Sequence, residues 1–167
     1  PDQYKSSCRA IPGSDGGLTW SQVLHDTTIY IDPENRRGVY NPYSLACNES
    51  GLVLLGCDSG RVLRSEDFGA SWEMIQTKWI HKPGSSSGDG TYKKCCISDN
   101  KAIISCRAFL IKSDDNGKNW SLVEFPDSID KYLIWDVQMP AGDTLIAFLN
   151  TPTGCRLLAS NDFGVSW

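Results

Sequence analysis

The chain has 167 residues, 40% of them hydrophobic and 22% charged, which argues against wholesale disorder. A formal net charge of −4 supplies no basic field for a polyanion, which argues against a nucleic-acid partner. The longest apolar runs, such as Leu52 to Leu55 and Leu145 to Leu149, fall far short of the roughly 20 residues a membrane-spanning helix needs.

Six Trp, six Tyr and five Phe beside 15 Gly and 8 Pro suit short strands and tight turns, so the expected class is all-β. Seven cysteines leave at least one unpaired, no C-x-x-C spacing occurs, and Cys95 and Cys96 are adjacent. Neither a metal site nor a cofactor is expected, and the cysteines in apolar segments are expected as small buried hydrophobes. The opening Pro1-Asp2-Gln3-Tyr4 lacks an initiator Met and a leader, so the chain is expected to be a piece of something longer.

In chain order, Arg9-Ala10-Ile11-Pro12 reads as a strand end, followed by the turn Gly13 to Trp20 with Asp15, Gly17 and Trp20. Trp20 to Leu24 is an outer strand, and a connector from Asp26 to Pro42 carries Arg36, Arg37 and Tyr40. An inner strand over Tyr43 to Cys47 leads to a hairpin of Gly51 to Cys57 with Gly60 to Arg64, then to Ser65-Glu66-Asp67-Phe68-Gly69-Ala70-Ser71-Trp72. The same order follows twice more. Trp72 to Ile75, a connector with His81 and Lys82, Lys93 to Ile97, and Ala102 to Ser105 with Arg107 to Lys112 precede Ser113-Asp114-Asp115-Asn116-Gly117-Lys118-Asn119-Trp120. Trp120 to Phe125, a connector from Pro126 to Asp136 with Asp130, Tyr132 and Trp135, Leu133 to Val137, and Leu145 to Leu149 with Cys155 to Ala159 precede Ser160-Asn161-Asp162-Phe163-Gly164-Val165-Ser166-Trp167.

Three segments therefore read S-x-D-x-G-x-x-W, a fourth keeps Asp, Gly and Trp, and the tryptophans stand 52, 48 and 47 residues apart. That period matches a four-stranded propeller blade. The predicted division is a partial repeat at 1–20 and repeats at 21–72, 73–120 and 121–167 of one segment. Within each turn the Asp can accept from nearby N–H groups, the Gly permits positive φ, and the Ser adds a local bond. Cys47 and Cys95 both lie 18 residues before a turn serine, which suggests one inner-strand position used twice. The glycosylation patterns Asn48-Glu49-Ser50 and Asn119-Trp120-Ser121 are treated as uninformative.

These turns resemble the Asp-boxes, or bacterial neuraminidase repeats, of the sialidase-like superfamily. The resemblance implies a β-propeller of antiparallel four-stranded blades, here about three to four blades of a larger ring. It also implies that the boxes are structural turns on the face opposite the ligand site. Asp15, Gly17, Trp20, Ser65, Asp67, Gly69, Trp72, Ser113, Asp115, Gly117, Trp120, Ser160, Asp162, Gly164 and Trp167 are accordingly expected as structural. Of the catalytic set such an enzyme would carry, only Arg9-Ala10-Ile11-Pro12 comes near a motif, with an inserted Ala.

A ligand is expected on the connector face through Arg36, Arg37, Tyr40, Tyr132 and Trp135, which combine cationic forks with stacking rings. The leading expectation is a non-catalytic glycan- or surface-recognition segment of an extracellular or virion-associated, phage-tail-like protein, its other partners being further blades or neighbouring subunits. The alternatives are a fragment of a sialidase-like or xyloglucanase-like glycoside hydrolase using Asp58, Asp130 or Asp136, and a protein-binding scaffold or assembly factor.

Overall fold

The computed structural model describes residues 42–58, 60–77, 93–126 and 132–167, together with the backbone of two short strands, β1 (Tyr30–Ile31) and β2 (Arg37–Gly38), which pair antiparallel inside the first connector. The described residues contain no helix. The first blade runs β3 (Pro42–Cys47), β4 (Val53–Cys57), β5 (Arg61–Ser65) and β6 (Glu73–Gln76), hydrogen-bonded in that order. The second runs β7 (Lys94–Ser98), β8 (Lys101–Ser105), β9 (Leu110–Ser113) and β10 (Ser121–Val123). The third has three strands among the described residues, β11 (Leu133–Gln138), β12 (Leu145–Thr151) and β13 (Gly154–Ser160). All neighbours are antiparallel. The expected strand order, inner strand, hairpin, box and outer strand, is complete in the first two blades and runs as far as the box in the third. The first box, with Asp15, Gly17 and Trp20, lies outside the described residues.

Period-two alternation makes the core. Leu52, Leu54 and Val62 of the first blade meet Cys95, Ala102, Ile104 and Ile111 of the second in one buried cluster. Ile103, Leu110 and Val123 on the other face of the second blade meet Ile134, Val137, Leu145, Ala147 and Leu149 of the third. The second sheet is therefore apolar on both faces, the condition for stacking blades side by side.

The box joins the third strand to the fourth, at the blade end that also carries the first-to-second-strand turn. A backbone bond ties the two turns in every blade: Phe68 N–H to Gly51 O at 3.0 Å, Asn116 N–H to Asn100 O at 2.8 Å and Phe163 N–H to Asp143 O at 2.9 Å. The second-to-third-strand turns and the strand ends that lead to and from the connectors occupy the opposite end. Asn48 is a turn acceptor for the Ser50 and Leu52 N–H groups and donates across to Asp99 O at 2.8 Å, so its amide is consumed by structure.

One expectation is corrected. Cys47 and Cys95 do not occupy the same strand position: Cys47 pairs with Val53 and is exposed, whereas Cys95 pairs with Ile104 and is buried. The first-to-second-strand turn and the following hairpin are each one residue longer in the first blade, so equal distance from the box reaches different rungs. The six described cysteines are free thiols, and burial pushes the Cys95 thiol up to about 12.

Candidate functional site

The Ser, Asp and Gly bonds of the box end repeat atom for atom, while the indole N–H donates to the box glycine carbonyl in the first two described boxes and to Glu124 O in the third. In each described box the Ser hydroxyl donates to Asp Oδ1 at 2.7, 2.8 and 2.7 Å and accepts from the Gly N–H at 2.8, 2.9 and 2.8 Å. The Asp Oδ1 then accepts the N–H four residues on, from Ser71, Asn119 and Ser166, while Oδ2 accepts the side chain of that same residue. These bonds set the carboxyl pKa values. The Ser71 hydroxyl, its N–H and Ser65 hold Asp67 down at about 2. Burial raises Asp115, but the bonds from Asn119, Ser113 and Lys118 outweigh it and leave the carboxyl at about 2. Ser166 and Ser160 lower Asp162 in the same way. Downward shifts suit permanently ionised acceptors and not proton donors at neutral pH.

The boxes also join the blades. The residue before each box glycine has positive φ, 56° at Phe68, 61° at Asn116 and 56° at Phe163, which turns its carbonyl outward. Arg64 Nε donates to Asn116 O at 2.5 Å and Lys112 Nζ to Phe163 O at 2.8 Å, so a third-strand cation latches each blade to the next. Arg64 is otherwise held by Glu66 and Glu73. Gly117 is required twice over, by its φ of +79° and because a Cβ there would lie 2.9 Å from Leu54 Cδ2 of the preceding blade.

At the connector end the blades share a bulge and differ in what it carries. Ser44 pairs with Gly56 and Asp136 with Phe148, each after a register shift that leaves Tyr43 and Trp135 extra. In the second blade Lys94 pairs with Ser105 while the Lys93 N–H donates to Ser105 O at 2.8 Å, so two residues again oppose one. A bulge re-aims the side chain it inserts. Here it turns out Tyr43, 50% exposed, Trp135, 65% exposed, and the exposed Lys93. Contacts run between blades along this row: Lys93 Nζ lies 5.9 Å from the Tyr43 ring centre, and Lys94 Nζ 3.6 Å from Asp136 Oδ1. Asp136 also accepts from the Val137 N–H and the Gln138 amide at 2.9 Å each, so both its oxygens are engaged.

Comparison with known proteins agrees with this geometry. The BNR/Asp-box repeat family matches residues 111–122, and no curated protein matches the chain. Among solved structures, YCF48 from Cyanidioschyzon merolae is similar at 18% identity and a TM-score of 0.57, over 77% of this chain and 36% of that one. A structure of YCF48 bound to D1 peptide is similar at 13% identity and a TM-score of 0.59, over 77% of this chain and 39% of that one. The chain has the fold of a β-propeller segment and carries an Asp-box repeat. It spans well under half the length of the propellers it matches, and at these identities the likeness is one of fold.

Within this propeller segment the expected ligand residues part company. Arg36 and Tyr40 lie outside the described residues, and of Arg37 only the backbone, in β2, is described. Tyr132, 9% exposed, packs into the cluster between second and third blades with its ring 4.9 Å from Phe125, edge on. Burial and the Glu124 charge push its phenol up to about 12, a neutral group poorly suited to act as a nucleophile. Trp135, expected in a connector, belongs to β11 and lies near Phe148 on the other face of the sheet. The structure does not bring Tyr132 and Trp135 onto one surface.

Tyr43, Lys93 and Lys94 were not expected as site residues. An aromatic or cationic residue at the head of each inner strand was the available signal. It became meaningful only through the bulge, which depends on pairing between strands.

Proposed function

We propose that this propeller segment is a non-catalytic recognition module whose connector-end row, Tyr43, Lys93, Lys94, Asp136 and Trp135, binds an extended polypeptide segment of a partner protein. The observation that carries this reading is the bulge repeated in three adjacent blades, which turns out an aromatic, a cation and an aromatic in succession. Rings with one face open and a cation between them offer anchors for apolar or aromatic side chains and for a carboxylate. A protein of the same fold has been described with a peptide bound, which supports a peptide as the ligand class here.

A glycan is the second reading, favoured by the exposure of Tyr43 and Trp135, since sugars stack on open aromatic faces. The hydrolase reading finds less support: Asp136 is paired with Lys94, Asp58 lies 3.8 Å from Arg61, and Asp130 is outside the described residues. The three described box carboxyls serve as turn acceptors.

The chain should be screened against a peptide-display library and a glycan array in parallel, and hits measured by calorimetry on Trp135→Ala and Lys93→Ala. Peptide hits weakened about tenfold by either change support the proposal, the size expected from losing one stacked ring or one charged bond. Glycan hits with the same sensitivity favour the second reading. Hits indifferent to both changes place the site elsewhere.

A further inference from the structure

Among the three described boxes only the second carries a side-chain amide at the position before the glycine. Phe68, Asn116 and Phe163 all take positive φ there, a conformation that asparagine tolerates better than most side chains. The residue that meets this backbone requirement also sets an amide directly before Gly117, whose nitrogen no Cβ shields. Elsewhere at the same end the amides of Asn48, Asn100 and Asn119 are committed to Asp99 O, Asp114 O and Asp115 Oδ2. The half-buried Asn116 amide makes no hydrogen bond among the described residues.

We propose that Asn116-Gly117 is a deamidation site that the folded second box holds shut, and that its reaction permanently opens the junction between the first and second blades. In that reaction the Gly117 nitrogen loses its proton to a solvent base and bonds to Asn116 Cγ, the Cγ–Nδ2 bond breaks, and ammonia leaves a cyclic imide. Water then opens the imide. Attack at Cγ gives aspartate, and attack at the main-chain carbonyl gives isoaspartate, in which the chain runs through Cγ. The box blocks the first step: Gly117 donates its N–H to Ser113 Oγ at 2.9 Å, while the peptide groups on either side of Asn116 are pinned by Asn100 O and by Arg64. The reaction therefore waits on local opening, and its rate follows the open fraction.

Isoaspartate does not close back into the box. It adds a main-chain atom between the Asp115 and Gly117 bonds and turns the carbonyl that accepts Arg64 into a branched carboxylate. Nothing absorbs that atom, since even a Cβ on Gly117 would lie 2.9 Å from Leu54 Cδ2 of the first blade. Aspartate leaves the chain length intact.

The test incubates the full chain in mildly alkaline buffer, folded, in sub-denaturing urea and fully unfolded, and follows position 116 by peptide mapping that separates aspartate from isoaspartate. Conversion should be slowest in the folded chain, fastest in the unfolded one, and should climb with urea before global unfolding. Ser113→Ala, which removes the acceptor of the Gly117 N–H, should speed conversion in the folded chain about tenfold, the size expected when one hydrogen bond is lost. If that variant does not fold, the urea series on the parent decides the point alone. Equal rates in folded and unfolded chains, no climb below unfolding, a folded Ser113→Ala chain with the parent's rate, or no isoaspartate at 116 after unfolding would each overturn the site. Chains aged while unfolded are then returned to native buffer: the isoaspartate fraction should lack hydrogen-exchange protection over 110–123, and Asn116→Asp should regain it. Equal protection in the two, or none in Asn116→Asp, would overturn the claim that the lengthened chain opens the junction.

Discussion

The two ends of each blade obey opposite rules. At the box end the three described turns share nearly every hydrogen bond within about 0.2 Å, because Ser, Asp and Gly satisfy one another inside eight residues. At the connector end the backbone bulge recurs but its cargo is Tyr43, Lys93 and Trp135. Repetition marks where the constraint is internal to the fold. Variation on a constant bulge marks where the side chains are free to suit a partner.

Glycines at the two ends offer the sharpest way to break this contrast. Gly117→Ala should cost about 2–4 kcal/mol, combining a strained positive φ with overpacking against Leu54. Gly154→Ala, in the connector-end hairpin turn with open space around it, should cost about 1–2 kcal/mol from its backbone alone. Chemical denaturation of both variants measures the difference, and equal losses would mean that the close approach of box to neighbouring blade carries no weight.

Arg64→Ala comes next, at about 2 kcal/mol, since it leaves the Asn116 carbonyl without its buried charged donor. Lys112→Ala, whose side chain is less buried, should cost about half as much. A latch that mattered equally in both blades would show equal losses in denaturant titrations.

The box carboxylates supply a smaller, pH-dependent effect. Asp67 and Asp115 are held at about 2, below the ordinary carboxylate value of roughly 3.9, and Asp162 is lowered as well. A depressed folded-state pKa contributes stability that is complete above about pH 4 and is lost as pH falls towards about 2. Asp67→Asn should therefore lower Tm near neutral pH, and the gap from the parent should close over that acid window. A gap constant from neutral to strongly acid pH would show that the carboxylate charge plays no part.

The smallest stability change belongs to the connector end. Trp135→Ala and Lys93→Ala should move stability by no more than about 0.5 kcal/mol, as expected for exposed side chains away from the core. A large loss on either change would make the row structural and erase the contrast between the ends.

The sequence by itself determined the box turns, the four-step order of strands within a blade and the all-β class. All of these rest on interactions among residues close in the chain: the box closes its bonds within a few residues, and each hairpin pairs neighbouring strands. What only the tertiary structure decided involves residues about 40 to 50 positions apart or strand register. Arg64 reaches Asn116, and Ser44 meets Cys95, across blades whose spacing no local pattern encodes. Tyr132 and Trp135 look alike in sequence as aromatics near a connector, yet stacking buries one ring between blades while a bulge turns the other out. Cys47 and Cys95 share an offset but not a rung, because the two residues added in the first blade's turns shift the register by two; both keep the same face of their sheets, and the first blade covers Cys95 while no described blade covers Cys47.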